Sequence, residues 1–530
     1  MQANQELVDL EHLRKIFSCA VDTKLQRIEA DVVANLHEFL SKISVAADSR
    51  PQELEQYFQS YRIPDAPTQV SEQADFLQQQ VVAHAVNISS PKFIGHMVSV
   101  LPSFVLPLAK IMTALNQNLV KTETSKSFTP LERQVVGMLH HLVYQRDESF
   151  YRQYLHSRQQ AIGVFCSGGT IANITALWVA RNKLLASRDG FAGVHVDGVT
   201  AALRHYGYRD LAMLVSQRGH YSLAKAADIL GIGRKMLISV ATDRHDSICS
   251  KDLRAKIKAL RAQRVAIVAL IGIAGTTETG GVDDLNAMAA IANDNGCHFH
   301  VDAAWGGAAL FSVRHRQLLA GIAAADSVVI DAHKQLYTPI GAGVLLCKNP
   351  TSLDYICQQA NYIIRTGSRD LGRHTLEGSR AGIALLVHST LHILGQRSFE
   401  LLINSTIATA KQFAELIIAS QHFELITAPT LNILTYRYHP QPRYPLTLAA
   451  QRAINRLTTD MQRRQRSAGE SFVSRTTLAL QGHQEPVVVF RVVIANPLTT
   501  LSHLREVLDE QVEIAASLLA DSGCDLYDYR

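Results

Sequence analysis

Residues 265–302 read VAIVALIGIAGTTETGGVDDLNAMAAIANDNGCHFHVD, and this stretch decides the fold class. It opens with a continuous apolar run, which is typical of a strand buried on both faces of a sheet. A glycine-containing turn and a helical stretch follow, and HFHVD then reads as a second strand. This strand–helix–strand order predicts a parallel βαβ unit.

The same alternation continues on both sides of this unit. AIGVFCSGG (161–169) leads into the helical TIANITALWVARNKLLA (170–186), and DSVVIDAHKQ (326–335) precedes GAGVLLCKN (341–349). Repeated strand–helix units of this kind predict an α/β fold with a mainly parallel central sheet flanked by helices.

The pattern changes outside this region. Residues 1–90 are rich in polar residues, with apolar residues at helical spacing, and predict a helical N-terminal segment. We expect a large α/β domain at 91–380 and a smaller α+β domain at 381–530. The smaller domain carries two helical stretches, three strand-like runs and a final helix, at 381–395, 398–420, 423–428, 431–439, 486–496 and 501–519.

Composition excludes several classes of protein. The 530 residues include 52 Lys+Arg and 47 Asp+Glu, a net charge of +5, and 47% are hydrophobic, so the chain is not disordered, collagen-like or a coiled coil. The densest basic run, residues 463–466, has no aromatic residues among its charges, which favours a solvated helix face over a nucleic-acid site. We therefore predict no nucleic-acid partner.

Membrane and secretory segments are not expected. The longest apolar stretch, residues 97–115, contains Pro102, Pro107 and Lys110, and predicts a buried loop and helix instead of a membrane span. The first residues lack an apolar signal core. Seven scattered cysteines without a C-x-x-C pair favour a reducing compartment, so we predict a cytoplasmic protein.

Three groups of residues in the α/β region suggest chemistry. Ser167, Gly168, Gly169 and Thr170 join a strand to a helix, with Asn173 one turn in. Glycines and free N–H groups at a helix N-terminus form a site for a phosphate. The alternative is a helix cap whose glycines serve only the turn.

Asp302 ends a predicted buried strand, with small Ala303 and Ala304 beside it. In a strand, His298, His300 and Asp302 share one face, so this motif has two interpretations. The three side chains could bind a metal. Alternatively, Asp302 projects into a cleft where the alanines leave room for a flat ring.

Lys334 follows the strand VVID through Asp331, Ala332 and His333. A lysine directly after a buried strand is costly to charge unless it is paired or neutralised. A desolvated lysine is a nucleophile for aldehydes, although the side chain could instead extend to solvent. A phosphate site, a carboxylate and such a lysine together match pyridoxal 5′-phosphate, whose ring nitrogen needs an acidic partner.

These motifs resemble the group II pyridoxal-phosphate-dependent amino-acid decarboxylases. The resemblance rests on CSGGTIAN, GTTETGGVDD, HVDAAWGG, DAHK and FRVVIANP, and extends from about Pro91 to Pro497. HVDAAWGG with a downstream His-Lys pair is its most specific part. It implies the fold-type-I architecture and a homodimer with active sites at the interface.

The resemblance assigns roles residue by residue. Lys334 matches the lysine that carries the cofactor, Asp302 the partner of the ring nitrogen, and His220 the histidine stacked on the ring; these are the predicted catalytic residues. Arg491 matches the arginine that holds a distal carboxylate, and Asn118 lies in a stretch lining the substrate side. The full predicted cofactor site is Ser167, Gly168, Gly169, Thr170, Asn173, His220, Thr277, Asp302, Ala304, His333 and Lys334, with Thr277 supporting Asp302.

Within the family the acidic-substrate branch is most similar. It implies decarboxylation of L-aspartate to β-alanine, a precursor of pantothenate, with L-glutamate and cysteine sulfinate as alternative substrates. Aminotransfer, a metal hydrolase built on the H-x-H-x-D motif and a non-catalytic dimer remain more distant alternatives. Arg491 also has a structural alternative, an ion pair.

Two departures from the family pattern matter. Asp331 stands where many relatives have asparagine, and because a carboxylate repels a phosphate we expect it to point elsewhere. The segment Arg365–Gly372 is short and lacks the tyrosine that relatives use to protonate the product. His220, Lys334 and Tyr337 remain as candidate proton donors.

Overall fold

A seven-stranded sheet lies at the centre of the structure, which is a computed structural model. The residues it describes are 23–243, 246–358, 368–439, 446–480 and 482–522. The part of the segment 365–372 that precedes residue 368 lies outside these ranges.

The strands of the large sheet lie in the order β1-β7-β6-β5-β4-β2-β3. Strand β7 is antiparallel to both of its neighbours, and the other described pairs are parallel. The strands are β1 (Gly163–Cys166), β2 (Asp210–Ser216), β3 (Leu237–Val240), β4 (Val265–Ile273), β5 (His298–Asp302), β6 (Ser327–Asp331) and β7 (Gly343–Cys347).

Helices cover both faces of this sheet. All nine residues of β4 are buried, and successive ones point to opposite sides: Ile267 belongs to one hydrophobic cluster and Val268 to another. Burial on both faces explains why this strand reads as a continuous apolar run.

The α-helices are α1 (Thr23–Leu40), α2 (Pro51–Glu55), α3 (Val70–Leu77), α4 (Val105–Leu115), α5 (Phe128–Tyr144), α6 (Glu148–Tyr154), α7 (Gly169–Leu184), α8 (Val194–Tyr206), α9 (Ser222–Ile229), α10 (Ser250–Ala262), α11 (Leu285–Asp294), α12 (Ala384–Ala419), α13 (Leu448–Ala468) and α14 (Leu501–Ser522). A π-helical turn spans Gln78–Val82. Short 3-10 helices occupy Gln56–Phe58, Thr122–Thr124, Arg234–Met236, Gly306–Phe311, Arg316–Leu319, Ile322–Ala324, Ser352–Ile356 and Leu371–Arg373.

A second, four-stranded antiparallel sheet follows in the chain, in the order β10-β11-β9-β8. Its strands are β8 (Phe423–Thr427), β9 (Ile433–Tyr438), β10 (Ser474–Leu478) and β11 (Val487–Val493). Arg491 of β11 lies opposite Thr435 of β9 and Ser474 of β10. The mainly parallel sheet with its helices and the smaller second sheet confirm the predicted fold class, while the boundaries at residues 90 and 380 stay a prediction.

Two helical features refine the expectations from sequence. The helical stretches predicted at 381–395 and 398–420 form α12, which is broken at Gly395, where φ is 65°. The apolar stretch 97–115 does contain a helix, α4, and Met97 and Val105 are buried as expected, but most of the helix is not. Leu106, Ile111 and Leu115 are 51%, 45% and 51% exposed. Among the described helices, none combines the length and apolar character that crossing a membrane requires.

Candidate active site

A cavity of about 310 Å³ lies at the carboxyl edge of the large sheet. The last residues of three neighbouring parallel strands line it: Ile273 of β4, Asp302 of β5 and Asp331 of β6. Parallel strands carry their carboxyl ends on one edge, so residues that are distant in the sequence meet here.

Lys334 reaches this cavity and is paired there. Its Nζ lies 3.0 Å from Asp331 Oδ2, and the Lys334 side chain is 20% exposed. His333 lies beside the same carboxylate, with Nε2 3.6 Å from Oδ2, while its Nδ1 lies 3.0 Å from the carbonyl oxygen of Ala342. Because that carbonyl can only accept, Nδ1 carries a proton. The Lys334 ammonium is therefore held at the cavity by an ion pair and does not extend into bulk solvent.

The residues between β1 and α7 also line the cavity. The first residue of α7, Gly169, cannot carry a side chain, because a Cβ there would lie 2.7 Å from Asp331 Oδ2. The N–H of Ser167 donates to Glu377 Oε2 at 3.0 Å. The Ser167 N–H is therefore occupied by a carboxylate, and the helix N-terminus at Gly169 and Thr170, which lines the cavity, is the part of the loop suited to a phosphate.

Asp331 lies beside this loop, and the expectation that it points elsewhere is wrong. Its Oδ1 would lie 2.9 Å from a Cβ on Gly343, and its Oδ2 is close to Gly169 as described above. Oδ1 is buried and has no hydrogen-bond partner in the described part of the chain. The Asp331 carboxylate thus lies between the glycines of the loop and the ammonium of Lys334.

Asp302 is held by two donors. Its Oδ2 accepts from Asn173 Nδ2 at 2.8 Å, and its Oδ1 accepts from the backbone N–H of Ala304 at 3.1 Å. The residue is 7% exposed and lines the cavity. This carboxylate is fixed in direction, which is what a partner for a ring nitrogen requires.

His220 lines the cavity and has a defined tautomer. Its Nδ1 accepts from the backbone N–H of Ser222 at 3.2 Å and lies 2.9 Å from the Ser222 hydroxyl. Burial lowers the pKa of His220, with a further contribution from Lys334 that Asp302 opposes. A neutral ring with Nδ1 accepting carries its proton on Nε2.

Arg491 lies behind the cavity wall. Its Nε donates to the carbonyl of Thr277 at 2.5 Å, and its Nη1 to the carbonyl of Gly95 and the hydroxyl of Ser474, both at 3.2 Å. Nη2 is buried and has no partner among the described residues. Burial lowers the pKa of Arg491 to about 10, opposed by the charge of Glu278. The contacts are therefore to neutral oxygens, not to the carboxylate of an ion pair.

The cavity brings together most of the residues predicted from sequence. Those that line it are Ser167, Gly168, Gly169, Thr170, Asn173, His220, Thr277, Asp302, Ala304, His333 and Lys334. The described partners of the Asp302 carboxylate are Asn173 and Ala304, so the supporting role given to the Thr277 side chain stays a prediction.

Arg491 does not line the cavity, and neither do two further candidate residues, Asn118 and Tyr337. The side chain of Asn118 donates to Ser379 Oγ at 2.9 Å and accepts from the N–H of Val120 at 3.1 Å. Tyr337 is 3% exposed, its hydroxyl donates to the carbonyl of Ala495 at 3.4 Å, and burial raises its pKa above the ordinary value. The hydroxyl of Tyr337 is therefore turned away from the cavity.

Sequence reasoning missed three residues of the site. Arg218 lines the cavity and pairs with Asp246 at 2.8 Å and Glu278 at 3.1 Å. Glu377 binds Ser167 from a distant loop. His96 follows Gly95, whose carbonyl accepts from Arg491, and partial burial together with the charges of Arg491 and Lys334 lowers its pKa. Of these three residues, only Arg218 could have been found from the sequence, because it stands two residues before the predicted site residue His220.

The described contacts favour a hydrogen-bond network over the metal interpretation of the H-x-H-x-D motif. His298 and His300 contact the hydroxyl of Ser327, each at 2.8 Å, and His300 also contacts Asn173. Within the described ranges, no group of three or more His, Cys, Asp or Glu side chains is arranged to hold a metal ion. The face that these residues share serves a hydrogen-bond network.

The residues present fit pyridoxal phosphate. The start of α7 at Gly169 and Thr170 presents a helix N-terminus to the cavity for a phosphate, Lys334 supplies an amine there, and Asp302 presents an oriented carboxylate. Ala304 leaves room beside that carboxylate for a flat ring. Each part of the cofactor therefore has a chemically matched group in one cavity.

Comparisons with known proteins agree with this chemistry. The family model described as "Pyridoxal-dependent decarboxylase conserved domain" matches residues 52–439. The aspartate 1-decarboxylase of Aliivibrio fischeri is 51% identical over 518 residues, covering 96% of this chain and 95% of the relative. The L-2,4-diaminobutyrate decarboxylase of Rhizobium meliloti is 26% identical, covering 86% and 84%. The apo crystal structure of mouse CSAD superimposes with a TM-score of 0.81 at 23% identity, covering 93% of this chain and 99% of that one.

Proposed function

The chain belongs to the pyridoxal-dependent decarboxylase family, and from this premise we propose that it converts L-aspartate to β-alanine and CO2. That reaction supplies a precursor of pantothenate. The proposal rests on Arg491, a buried cation next to the cavity residue Thr277, and on the 51% identical relative named as an aspartate 1-decarboxylase. The observation that carries it is Nη2 of Arg491, a buried cationic donor with no hydrogen-bond partner among the described residues, on a guanidinium that contacts the cavity residue Thr277.

We propose the following division of roles for the cofactor. Lys334 would carry it, Asp302 would pair with its ring nitrogen, and the start of α7 with Ser167 would bind its phosphate. When bound, pyridoxal phosphate supplies a conjugated ring that takes up the electron pair left at Cα as CO2 departs. The Asn173 amide and the Ala304 N–H hold Asp302 in place for this pairing.

The substrate would be held at its far end by Arg491. A guanidinium offers a carboxylate charge-assisted hydrogen bonds of defined direction. With its Nε and Nη1 bonded to oxygens of Thr277, Gly95 and Ser474, the group is rigid, and among the described contacts Nη2 is the nitrogen left to donate. Anchoring the distal carboxylate fixes which bond at Cα lies in the reactive direction, and so favours loss of the α-carboxylate.

Two groups at the cavity carry protons suited to the product carbon. Lys334 Nζ is an ammonium paired with Asp331, and His220 holds its proton on Nε2 because Ser222 occupies Nδ1. The hydroxyl of Tyr337 is bonded to Ala495. We propose that protonation of Cα comes from Lys334 or His220.

Replacing Arg491 with methionine is expected to lower kcat/KM for L-aspartate on the order of a hundredfold or more, because a buried charge pair with the distal carboxylate is lost. Steady-state kinetics with L-aspartate and with L-alanine, which has no distal carboxylate, measure this. The variant should lose nearly all of the preference for aspartate over alanine. An unchanged preference would show that Arg491 serves only the packing of the second sheet.

Replacing Asp331 with asparagine is expected to tighten pyridoxal phosphate binding about fivefold. The carboxylate pairs with Lys334 in the free protein and so competes with the cofactor, and it also lies beside the proposed phosphate loop. An isosteric amide removes both effects. Titration of the apoenzyme, followed by the visible absorption of the bound cofactor, measures the affinity; a weaker affinity would mean that Asp331 supports the loaded site.

The proposed reaction is tested with purified protein, pyridoxal phosphate and L-aspartate. We expect β-alanine and CO2 in equal amounts. L-alanine would mean that the wrong carboxylate is removed, and oxaloacetate would indicate an aminotransferase. Separate reactions with L-glutamate and L-cysteine sulfinate test the two alternative substrates. A side chain longer by one methylene changes the free energy of binding by only about 1–3 kcal/mol, so the comparison must be kinetic.

We also propose a homodimer. Helix α4 exposes Leu106, Ile111 and Leu115, and Asn118 follows three residues after it. Apolar side chains grouped on one helix are typical of a subunit interface. A second copy on this face would place the predicted substrate-side stretch around Asn118 near the interface.

A further inference from the structure

A line of buried polar side chains runs along β5 from the cavity into the sheet. Asp302 Oδ2 accepts from Asn173 Nδ2 at 2.8 Å, and Asn173 Oδ1 lies 3.0 Å from His300 Nε2. His300 Nδ1 then lies 2.8 Å from the hydroxyl of Ser327, which lies 2.8 Å from His298 Nε2. We call these five residues the Asp302 chain.

The charge of Asp302 sets the orientation of the amide. If the Asn173 oxygen faced Asp302, two acceptors would meet at 2.8 Å inside the protein. The amide nitrogen therefore faces the carboxylate, and the amide oxygen faces His300. The second hydrogen of the nitrogen is directed to Ser222 Oγ at 3.2 Å. The hydroxyl of Ser222 is then free to donate to His220 Nδ1 at 2.9 Å.

The amide orientation sets the proton positions along the rest of the chain. Burial lowers the pKa of His300 to about 3 and that of His298 to about 4, so both rings are neutral at pH 7. His300 Nε2 must donate to the amide oxygen, which leaves its Nδ1 to accept from Ser327. The Ser327 oxygen in turn accepts from His298 Nε2. Every hydrogen bond of the chain then donates towards Asp302.

The position of the chain argues against a role in packing alone. His300 is fully buried, Asn173 and Ser327 are each 1% exposed, and the alternate residues of β5, Phe299 and Val301, are apolar. Polar groups at such positions cost stability unless they are fully satisfied. The chain satisfies them except at its far end, where His298 Nδ1 has no described hydrogen-bond partner and lies 3.9 Å from Asp326 Oδ2.

We propose that His300, Ser327 and His298 are positioning residues that fix the Asn173 amide and, through it, both the Asp302 carboxylate and the tautomer of His220. This inference rests on the proposed role of Asp302 as partner of the cofactor's ring nitrogen. Hydrogen bonds aligned in one direction polarise one another. Each bond farther along the Asp302 chain therefore strengthens the hydrogen bond that Asn173 donates to Asp302. The chain therefore holds the carboxylate in the geometry that selects a ring nitrogen.

The test compares two cofactors without substrate. Pyridoxal phosphate and its deaza analogue, in which a C–H replaces the ring nitrogen, are titrated into the apoenzyme, and the ratio of their dissociation constants gives the preference for the nitrogen. Ser327→Ala removes the link between the two histidines, and His300→Leu removes the donor to Asn173. His300→Gln keeps an N–H near the position of Nε2. Ser312→Ala is the matched control, because Ser312 is equally buried and donates to Asn404 away from the cavity.

We expect the preference to fall about tenfold in Ser327→Ala and about tenfold to a hundredfold in His300→Leu. His300→Gln should recover part of it, and Ser312→Ala should keep it. If these residues serve only to maintain the structure, their replacement would weaken the binding of both cofactors equally. The preference would then be unchanged, and that result would overturn the inference. If His300→Leu does not fold, the cofactor preference of Ser327→Ala tests the inference without it.

The test distinguishes two outcomes: the Asp302 chain has no positioning role, or Asp302 itself is not the partner of the ring nitrogen. If the unmodified protein prefers the nitrogen and Ser327→Ala prefers it equally, the chain has no positioning role and the assignment of Asp302 stands. If the unmodified protein shows no preference, Asp302 does not partner the ring nitrogen, and the inference is overturned with it.

Discussion

Lys334→Ala protein is expected to show no steady-state turnover of L-aspartate, a loss on the order of ten-thousandfold or more. Lys334 is the one lysine among the described residues that lines the cavity, and its Nζ is held 3.0 Å from Asp331. Without this amine the protein has no described group there to carry the cofactor and release the product. Product formation measured by chromatography, with the visible absorption of the bound cofactor, gives both readouts.

Lys348→Ala is the matched control for this loss. Lys348 immediately follows β7, and its Nζ donates to the carbonyl of Ala324 at 3.3 Å, away from the cavity. The control should keep turnover and the absorption band. Sustained turnover by Lys334→Ala would remove the foundation of the proposed mechanism, and an equal loss in Lys348→Ala would show that the effect is not specific to the site.

The second largest effect is expected from Asp302→Asn. The amide keeps the shape of the carboxylate but has no charge to hold a protonated ring nitrogen, so kcat should fall about a thousandfold. It also gives Asn173 and Ala304 only one acceptor oxygen between them, whereas the carboxylate serves each with its own oxygen. The kcat of this variant with pyridoxal phosphate should approach that of the unmodified protein loaded with the deaza analogue.

Asp283→Asn is the control for Asp302→Asn. Asp283 is 3% exposed and accepts from the N–H groups of Ile248 and Ile273, but it does not line the cavity. Its replacement tests the cost of changing a buried carboxyl group to an amide away from the proposed chemistry. Equal losses of kcat in the two folded variants would contradict a special role for Asp302.

The sequence was most informative where local pattern and topology act together. Buried strands such as β4 read as continuous apolar runs because both faces of the sheet are covered. Asp302 and Lys334 were expected to meet because parallel strands end on one edge. These two rules are sufficient to predict that Asp302 and Lys334 lie at the same edge of the sheet.

Long-range contacts were not predictable in this way. Nothing local indicates that Glu377 reaches Ser167 or that His96 lies near Arg491, because those contacts depend on how distant loops fold back. The apolar sequence of β7 also gives no indication that this strand runs antiparallel to β6. Repulsion from a phosphate suggested that Asp331 would point away, but the ion pair with Lys334 holds it beside the loop.

The interpretation of the H-x-H-x-D motif shows the same limit. The alternation of side chains along a strand correctly predicted that His298, His300 and Asp302 lie on one face of the sheet. Whether that face binds a metal or forms a network depends on the neighbouring side chains, and here Ser327 and Asn173 lie within hydrogen-bond distance of the two histidines. Those partners come from β6 and α7, far away in the sequence.

Substrate choice is the central claim, and a direct competition tests it best. The protein with pyridoxal phosphate is given equal concentrations of L-aspartate, L-glutamate, L-cysteine sulfinate and L-2,4-diaminobutyrate, and the amines formed at early times are identified by mass spectrometry. We expect β-alanine to be the main product. Predominance of γ-aminobutyrate, hypotaurine or 1,3-diaminopropane would contradict the assignment of L-aspartate as the substrate.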